Sequence, residues 1–448
     1  MIHPSRRLLV LRTTLAASLL GASLVSTGAT ISHAQRAQAP VEIKVAAGWS
    51  DIVQAPAYVR VVEGFNKIQS AIHVTAIKGI GDTQVLPEVS AGDPPDVFVN
   101  FNASDVAPWG IAGYALNLDP YIQQAHYNTS QLIPAAREMS MYNGHFYAIP
   151  MLVDTEMLLI NTTLFKAAGI TKPPTTIEEL TADAIKLTKK DASGHITQLG
   201  FAPTLFGGDS YNTWLPVYVA MFGGHLASAD GKTITANCPQ CVEALQWEVN
   251  LYKAIGATEI DRFLSNAGQT EYSHGNVFFQ GKVAMVVDGE YYTNMVPAYA
   301  PKGFQWENVP MPYPAGHPEL ADSGTDYGNP AMIMKGTKNP AAAFKVLEYM
   351  TSVEPSVALA NVVRNVPQVY GALNSPNLAK DPVYRRFIQY AQGPKMTVFP
   401  VLPVSAAYQN ELVRYEDLAI HGKMTAQAAL DKVTKDMQTQ LDAQQNGL

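Results

Sequence analysis

Cysteine is nearly absent: the chain of 448 residues holds two, Cys238 and Cys241, in the run CPQC. One pair cannot build a disulfide framework, and no second Cys or His pair has the spacing of a zinc site. Positive charge is also scarce, with 31 Lys and Arg against 38 Asp and Glu, for a formal net charge of −7. No basic run and no basic–aromatic interleaving occurs, which excludes nucleic acid as a partner. Beyond the N-terminal segment no apolar stretch reaches the ~20 residues that a membrane-spanning helix needs. There is no nucleophile elbow, no His-Glu-x-x-His, no phosphate-cradling glycine motif and no EF-hand loop. The ten histidines are scattered singly. No catalytic residue, metal or cofactor is expected, and internal repeats and low-complexity segments are missing as well.

What is present begins with a leader. Arg6 and Arg7, an apolar run over 8–25 and the tripeptide Ser32-His33-Ala34 have the layout of a secretory signal, residues 1–34, removed on export. The run SRRLL also has the form of a twin-arginine signal, so both export routes stay open. A retained anchor is the alternative, but Arg12 interrupts the apolar run. No cysteine lies near the cleavage region, so a lipid anchor there is excluded. Loss of the three leader arginines takes the formal charge from −7 to −10, an acidic surface suited to solubility in the periplasm or at the cell surface. In an exported chain, Cys238 and Cys241 are expected to close a local disulfide; a redox pair is the competing role.

The remaining ~410 residues are too many for one core and fit two lobes. Residues 41–45 alternate as a strand, and 57–68 place Tyr58, Val61, Val62, Phe65 and Ile68 at helical spacing. A strand at 72–77, a helix at 83–91 and a strand at 96–99 follow. This alternation argues for a parallel sheet with helices on both faces, whose ligands bind beyond the carboxyl ends of the strands. Those loops are 48–55, 79–82 and 100–108. Asn143-Gly144 supplies a hairpin turn. The apolar segment 146–160 reads as one strand leaving the first lobe for the second. Thr176 and Glu179 form a capping box that starts a helix. A loop over 309–329 precedes a return strand at 331–334, and the tail from Asp381 is helical, with Thr425 capping the last helix. The expected lobes are 40–150 with 328–375, and 151–327 with 376–448. Two lobes joined by several crossings describe a hinged clamshell.

Several segments, in order, resemble the family 1 extracellular solute-binding proteins, the maltose-binding-protein group. They are AGDPPDV at 91–97, IAGYALNLDPY at 111–121, YNGHFYAIPMLVDTEMLLINTTLFKAAGI at 142–170, FQGKVAM at 279–285 and KGTKNPAAAF at 335–344. The resemblance implies an α/β, two-lobed periplasmic-binding-protein fold of type II-like form. Each lobe is a mainly parallel sheet flanked by helices, with a helical C-terminal tail. It implies a monomeric component of an ABC importer that binds a sugar and hands it to a membrane permease. A polyol or another small solute on the same fold is the alternative, and an exported polysaccharide-acting enzyme a more remote one.

A sugar needs hydrogen-bonding side chains for its hydroxyls and aromatic faces for its C–H surfaces. Trp49, in the loop after the first strand, is a candidate, with packing under the loop as the competing role. Asn100, Asn102 and Asp105 follow the third strand, where a helix cap by Ser104 or Asp105 is the plainer role. The resemblance places a ligand-binding acid at Asp154 and aromatics at Tyr211, Tyr291 and Tyr408. Glu290 flanks Tyr291, Asp326 and Tyr327 lie at the return crossing, and Glu156 is a lesser candidate. Trp214, Trp247 and Trp306 read as packing; Trp109 reads either way. Asp154 and Glu156 are too close along one strand to flank a glycosidic bond, which argues against a glycosidase. The near absence of Arg and Lys in these loops argues for a neutral, hydroxyl-rich ligand over a phosphate.

Overall fold

The structure is a computed structural model, and it describes residues 39–203, 213–267 and 271–446. The proposed leader lies outside the described residues. Among the described residues fourteen strands run, in chain order, β1 Val41–Ala47, β2 Ile72–Lys78, β3 Val97–Val99, β4 Met141–Tyr142, β5 His145–Phe146, β6 Ile149–Thr155 and β7 Met157–Asn161. Then come β8 Lys189–Lys190, β9 Ile196–Ala202, β10 Val283–Asp288, β11 Trp306–Val309, β12 Gly324–Ile333, β13 Val366–Pro367 and β14 Met396–Val398.

They form two main sheets. The first has the order β13–β6–β12–β3–β1–β2, with β14 on β12; the second has the order β11–β7–β10–β9–β8. Parallel pairing joins β1 to β2 and β3, and β9 to β10, as the strand–helix alternation predicts. The crossing strands run the other way: β12 is antiparallel to β3 and β6, and β7 to β10 and β11. Both sheets are therefore mixed rather than mainly parallel.

The single strand expected over 146–160 is two, β6 in the first sheet and β7 in the second, with Glu156 at the transfer point. The sheet switch thus falls at Glu156 rather than at 151. The return strand is also longer than expected. β12 begins at Gly324 and is buried along all ten residues. Its Gly and Pro content reads as loop, but the register shift between Gly328 and Pro330 absorbs the proline. Gly328 is needed for room, since a Cβ there would sit 2.4 Å from Met139 Sδ.

Each lobe has its own core. In the first, Tyr58 and Val62 of the helix Gln54–Glu63 pack on Val45, Leu152 and Leu347, and the Tyr58 hydroxyl donates to the Val45 carbonyl at 2.7 Å. The other face of that sheet buries Phe98 against Trp109, with Val85 and Met332. In the second lobe Leu158, Leu199 and Met285 meet Trp247, Tyr218 and the C-terminal helices Ser405–Ile420 and Ala426–Asn446. Fully burying one such aliphatic side chain is worth roughly 1.5–3 kcal/mol, so each lobe holds its own wall of the space between them. Cys238 and Cys241 are disulfide-bonded across the first turn of the helix Pro239–Ile255. Thr425 Oγ1 accepts the Ala428 N–H at 3.1 Å, the cap that its sequence implies. Among the described residues no helix is long and apolar enough to cross a membrane.

Candidate functional site

A cavity of about 180 Å³ opens where strand ends of the two lobes face each other. From the first lobe come Gly48, Trp49, Ser50, Asp51 and Gln54 after β1, Phe101 after β3, Asn329 in β12, and Asn365. Asp154 and Glu156 rise from the crossing, and Trp214, Glu271, Tyr272 and Tyr291 close the second-lobe side.

Local structure sets each side chain. β1 ends into a loop where Asp51 Oδ1 accepts the N–H groups of Val53 and Gln54 at 2.7 and 2.8 Å, starting the next helix. That turn holds Trp49 between Tyr58 and Phe101, tilted at 44° and 56° to them, with ring centroids 5.3 and 5.0 Å away. Opposite, Asp288 Oδ1 at the end of β10 accepts the Tyr291 hydroxyl at 2.5 Å, and the Tyr291 ring stacks on Tyr272. Asp154 accepts amide hydrogens from Asn365 and, at 3.4 Å, from Asn329. Burial pushes its carboxyl up to about 7, partly offset by the Asn329 bond. Glu156 is 3 % exposed, and its Oε2 has no hydrogen-bond partner. Burial first, then the neighbouring Asp288, Glu290, Asp154 and Asp326, hold it well above the usual carboxylate range.

Of the residues singled out in the sequence, Trp49, Asp154 and Tyr291 meet in this cavity, together with Glu156. Asn100, Asn102 and Asp105 line an adjoining depression that shares Gly48 and Phe101 and is bounded by Gln409 of the second lobe. Their side chains bond one another, and the capping bond comes from Asn102, since Asp105 makes none. Asn100 Nδ2 donates to Asp105 Oδ2 at 2.7 Å, and Asn102 Oδ1 caps the Ser104 N–H. Asn102 Nδ2 also donates across to Gln409 Oε1 at 3.1 Å. Burial raises the Asp105 carboxyl to about 6 against the Asn100 bond.

Four candidates do not face either space. Glu290 spends both oxygens on backbone amides, those of Thr155 at 2.9 Å and Val366 at 3.2 Å. Asp326 accepts the Thr155 hydroxyl at 2.5 Å behind the cavity wall. Tyr327 is 2 % exposed and packs edge-on against Trp214. Tyr408 is fully buried in the second-lobe core, its hydroxyl donating to the Leu226 carbonyl at 2.8 Å. An aromatic on the helix Ser405–Ile420 serves that core, so the match of its sequence position does not carry it to the cleft. Tyr211 lies outside the described residues. Phe101, Gln54, Glu271, Tyr272, Asn329 and Asn365 were not anticipated. Trp214 belongs to the core, as expected, and also shows an edge to the cavity.

Carboxylates and amides accept and donate, while Trp49, Phe101 and Tyr291 offer flat apolar faces; such a wall suits a hydroxylated ring. Two lobes joined by crossing strands, with a polar–aromatic cavity built by both, define a clamshell binding protein. A family model described as bacterial extracellular solute-binding protein matches residues 49–355, and the chain belongs to that family. A binding protein of Brucella abortus is 28% identical over 243 residues, 53% of this chain and 54% of that protein. The maltotriose-binding protein of Pyrococcus abyssi is 23% identical over 314 residues, 68% of this chain and 61% of that protein. Among solved structures, CpMnBP1 with mannotriose bound superposes with a TM-score of 0.77 at 26% identity, covering 88% of this chain and 99% of that one. The chain spans about half the length of the curated Brucella relatives it matches.

Proposed function

We propose that the protein is the extracytoplasmic binding component of an ABC importer, taking a sugar or oligosaccharide between its lobes. The observation that carries this reading is the cavity wall itself. Acids and amides alternate with Trp49, Phe101 and Tyr291, and both lobes contribute. A ligand touching both lobes favours the closed form by the contacts it makes only there. The closed monomer then docks on a membrane permease and releases its cargo. Residues 1–34 direct export. The names of two relatives, one for maltotriose and one solved with mannotriose, support a carbohydrate.

Isothermal titration of the purified protein with maltotriose, mannotriose and a panel of polyols tests the reading. Saturable one-to-one binding of a sugar with no change in its chain length is expected. Turnover of the sugar, or binding confined to polyols, overturns it. Ligand at about 100 times its Kd should raise stability by about 2.7 kcal/mol, readable as a higher Tm.

A further inference from the structure

The absence of Lys and Arg around the cavity is half of a charge pattern whose other half is an excess of acids. Asp51, Asp154, Glu156 and Glu271 line the cavity, and none of its lining residues is basic. Asp288, Glu290 and Asp326 lie directly behind them, close enough to raise the Glu156 carboxyl further. Asp51, Asp154 and Glu156 make no ion pair among the described residues.

Within this wall two side-chain oxygens lack a donor, Glu156 Oε2 and the amide Oδ1 of Asn329, and only the first belongs to a carboxylate. Glu156 Oε2 is buried at the cavity and unpartnered, although the residue is 3 % exposed. A buried polar atom without its bond is costly, and a carboxylate oxygen needs a donor in particular. The amides of Asn329 and Asn365 are turned to Asp154 instead. An ammonium group offers three donors, no acceptor and one positive charge, the complement of acceptor-only carboxylates. Nearby ring faces favour it as well: Tyr291, Tyr272 and Trp214 stand on the same side of the cavity as Glu271. A metal ion is a poorer match, since no three His, Cys, Asp or Glu side chains among the described residues form a metal-holding group.

We propose that the ligand is an aminosugar, its protonated amine seated between Asp154 and Glu156 and its ring against Trp49 and Tyr291. This rests on the reading of the cavity as a sugar site, and it deepens that reading by assigning the charge of the ligand. The amine restores the carboxylates to their ionised form, because an adjacent positive charge opposes the burial that keeps them protonated. Binding therefore releases protons.

Titration calorimetry with glucosamine and its β-1,4-linked dimer and trimer, against their N-acetylated forms and the neutral glucose and mannose oligomers, tests this. The free amines should bind about tenfold tighter or better, with a heat that changes with the ionisation enthalpy of the buffer. Glu156→Gln should lower the ratio of amine to neutral-sugar affinity about tenfold, because the charge-assisted bond is lost while a hydrogen-bonding side chain of the same size remains. Apo melting curves check that the variant folds; Asp154→Asn, which keeps both amide neighbours, serves as the second variant. Neutral oligomers bound as tightly as the amines, or a variant that weakens both alike, overturn the aminosugar assignment and leave the carbohydrate reading standing. Failure of every sugar, amine or neutral, overturns both.

Discussion

Two of the groups of buried carboxyls among the described residues differ in what faces them. At the interlobe cavity Asp154 and Glu156 stand before open space, with Asp288, Glu290 and Asp326 at their backs. In the second-lobe core Glu248 and Glu416 stand before each other. The Thr213 hydroxyl donates to Glu416, and packed side chains close every other direction. Burial raises both groups: Glu416 to about 7 and Glu248 well above its ordinary range, the latter also through repulsion from Glu416. A raised carboxyl is thus no sign of a site by itself. Unpartnered oxygens occur in both places, on Glu248 and Glu416 as on Glu156; the difference is that packed side chains surround the core pair, whereas Glu156 borders a cavity with room for something to fill it.

The comparison breaks most sharply at the cavity. Asp154→Ala combined with Tyr291→Ala should lower sugar affinity by at least about a hundredfold, by losing a charge-assisted bond and a stacking face together. A melting curve of the unliganded double variant checks that it folds, since Asp154 also holds two amides and Tyr291 stacks on Tyr272; retained affinity in titration calorimetry would reject the site. Glu290→Ala should instead strike stability. It orphans the buried amides of Thr155 and Val366, at about 1–3 kcal/mol each, measurable by urea denaturation. Glu290→Gln should recover part of that loss.

A pH series addresses both groups at once. Asp105, Asp154 and Glu416 have folded values raised to about 6, 7 and 7, above the carboxylate range of about 4 in the unfolded chain. Their contribution to stability is full below about pH 4 and is lost as pH rises through 6 to 7, by up to about 1.4 kcal/mol per pH unit for each group. Tm should therefore fall between about pH 5 and pH 8. Glu416→Gln should flatten that slope and leave sugar affinity alone, whereas Asp154→Asn should flatten it and weaken binding. The smallest effect belongs to Thr213→Val, about 1 kcal/mol for one hydrogen bond, with unchanged affinity.

How much of this was legible in the sequence follows from how local each signal is. The Asn143-Gly144 turn has both residues at positive φ, 49° and 82°, as its dipeptide predicts. Trp49 stands just past the end of β1, so strand periodicity leads to its loop, whereas Asp154 and Tyr291 are reached through the resemblance. Asn329 was hidden because β12, rich in Gly and Pro, reads as a loop. Asn365 follows Arg364, held at φ 72° after a helix, and nothing local aims it at Asp154. Glu271 and Tyr272 belong to a turn segment without periodicity. Tyr408 misled for the opposite reason: its position in order along the chain matches a site, while its helix faces inward.

The two amides gripped by Glu290 belong to β6 and β13, strands that pair with each other through Val153 and Val366. Glu290 itself extends from the far lobe, which makes it the fulcrum for the closure proposed above. Any rotation about it moves nearby atoms little and distant ones far, as along a lever. The floor of the cavity beside Asp154 then keeps its shape through the swing, and the travel is spent at the lip, where Asn102 meets Gln409. Selectivity and access are on this account separate dimensions of one part: the chemistry is held still at the short end of the lever, and the gate rides on the long one.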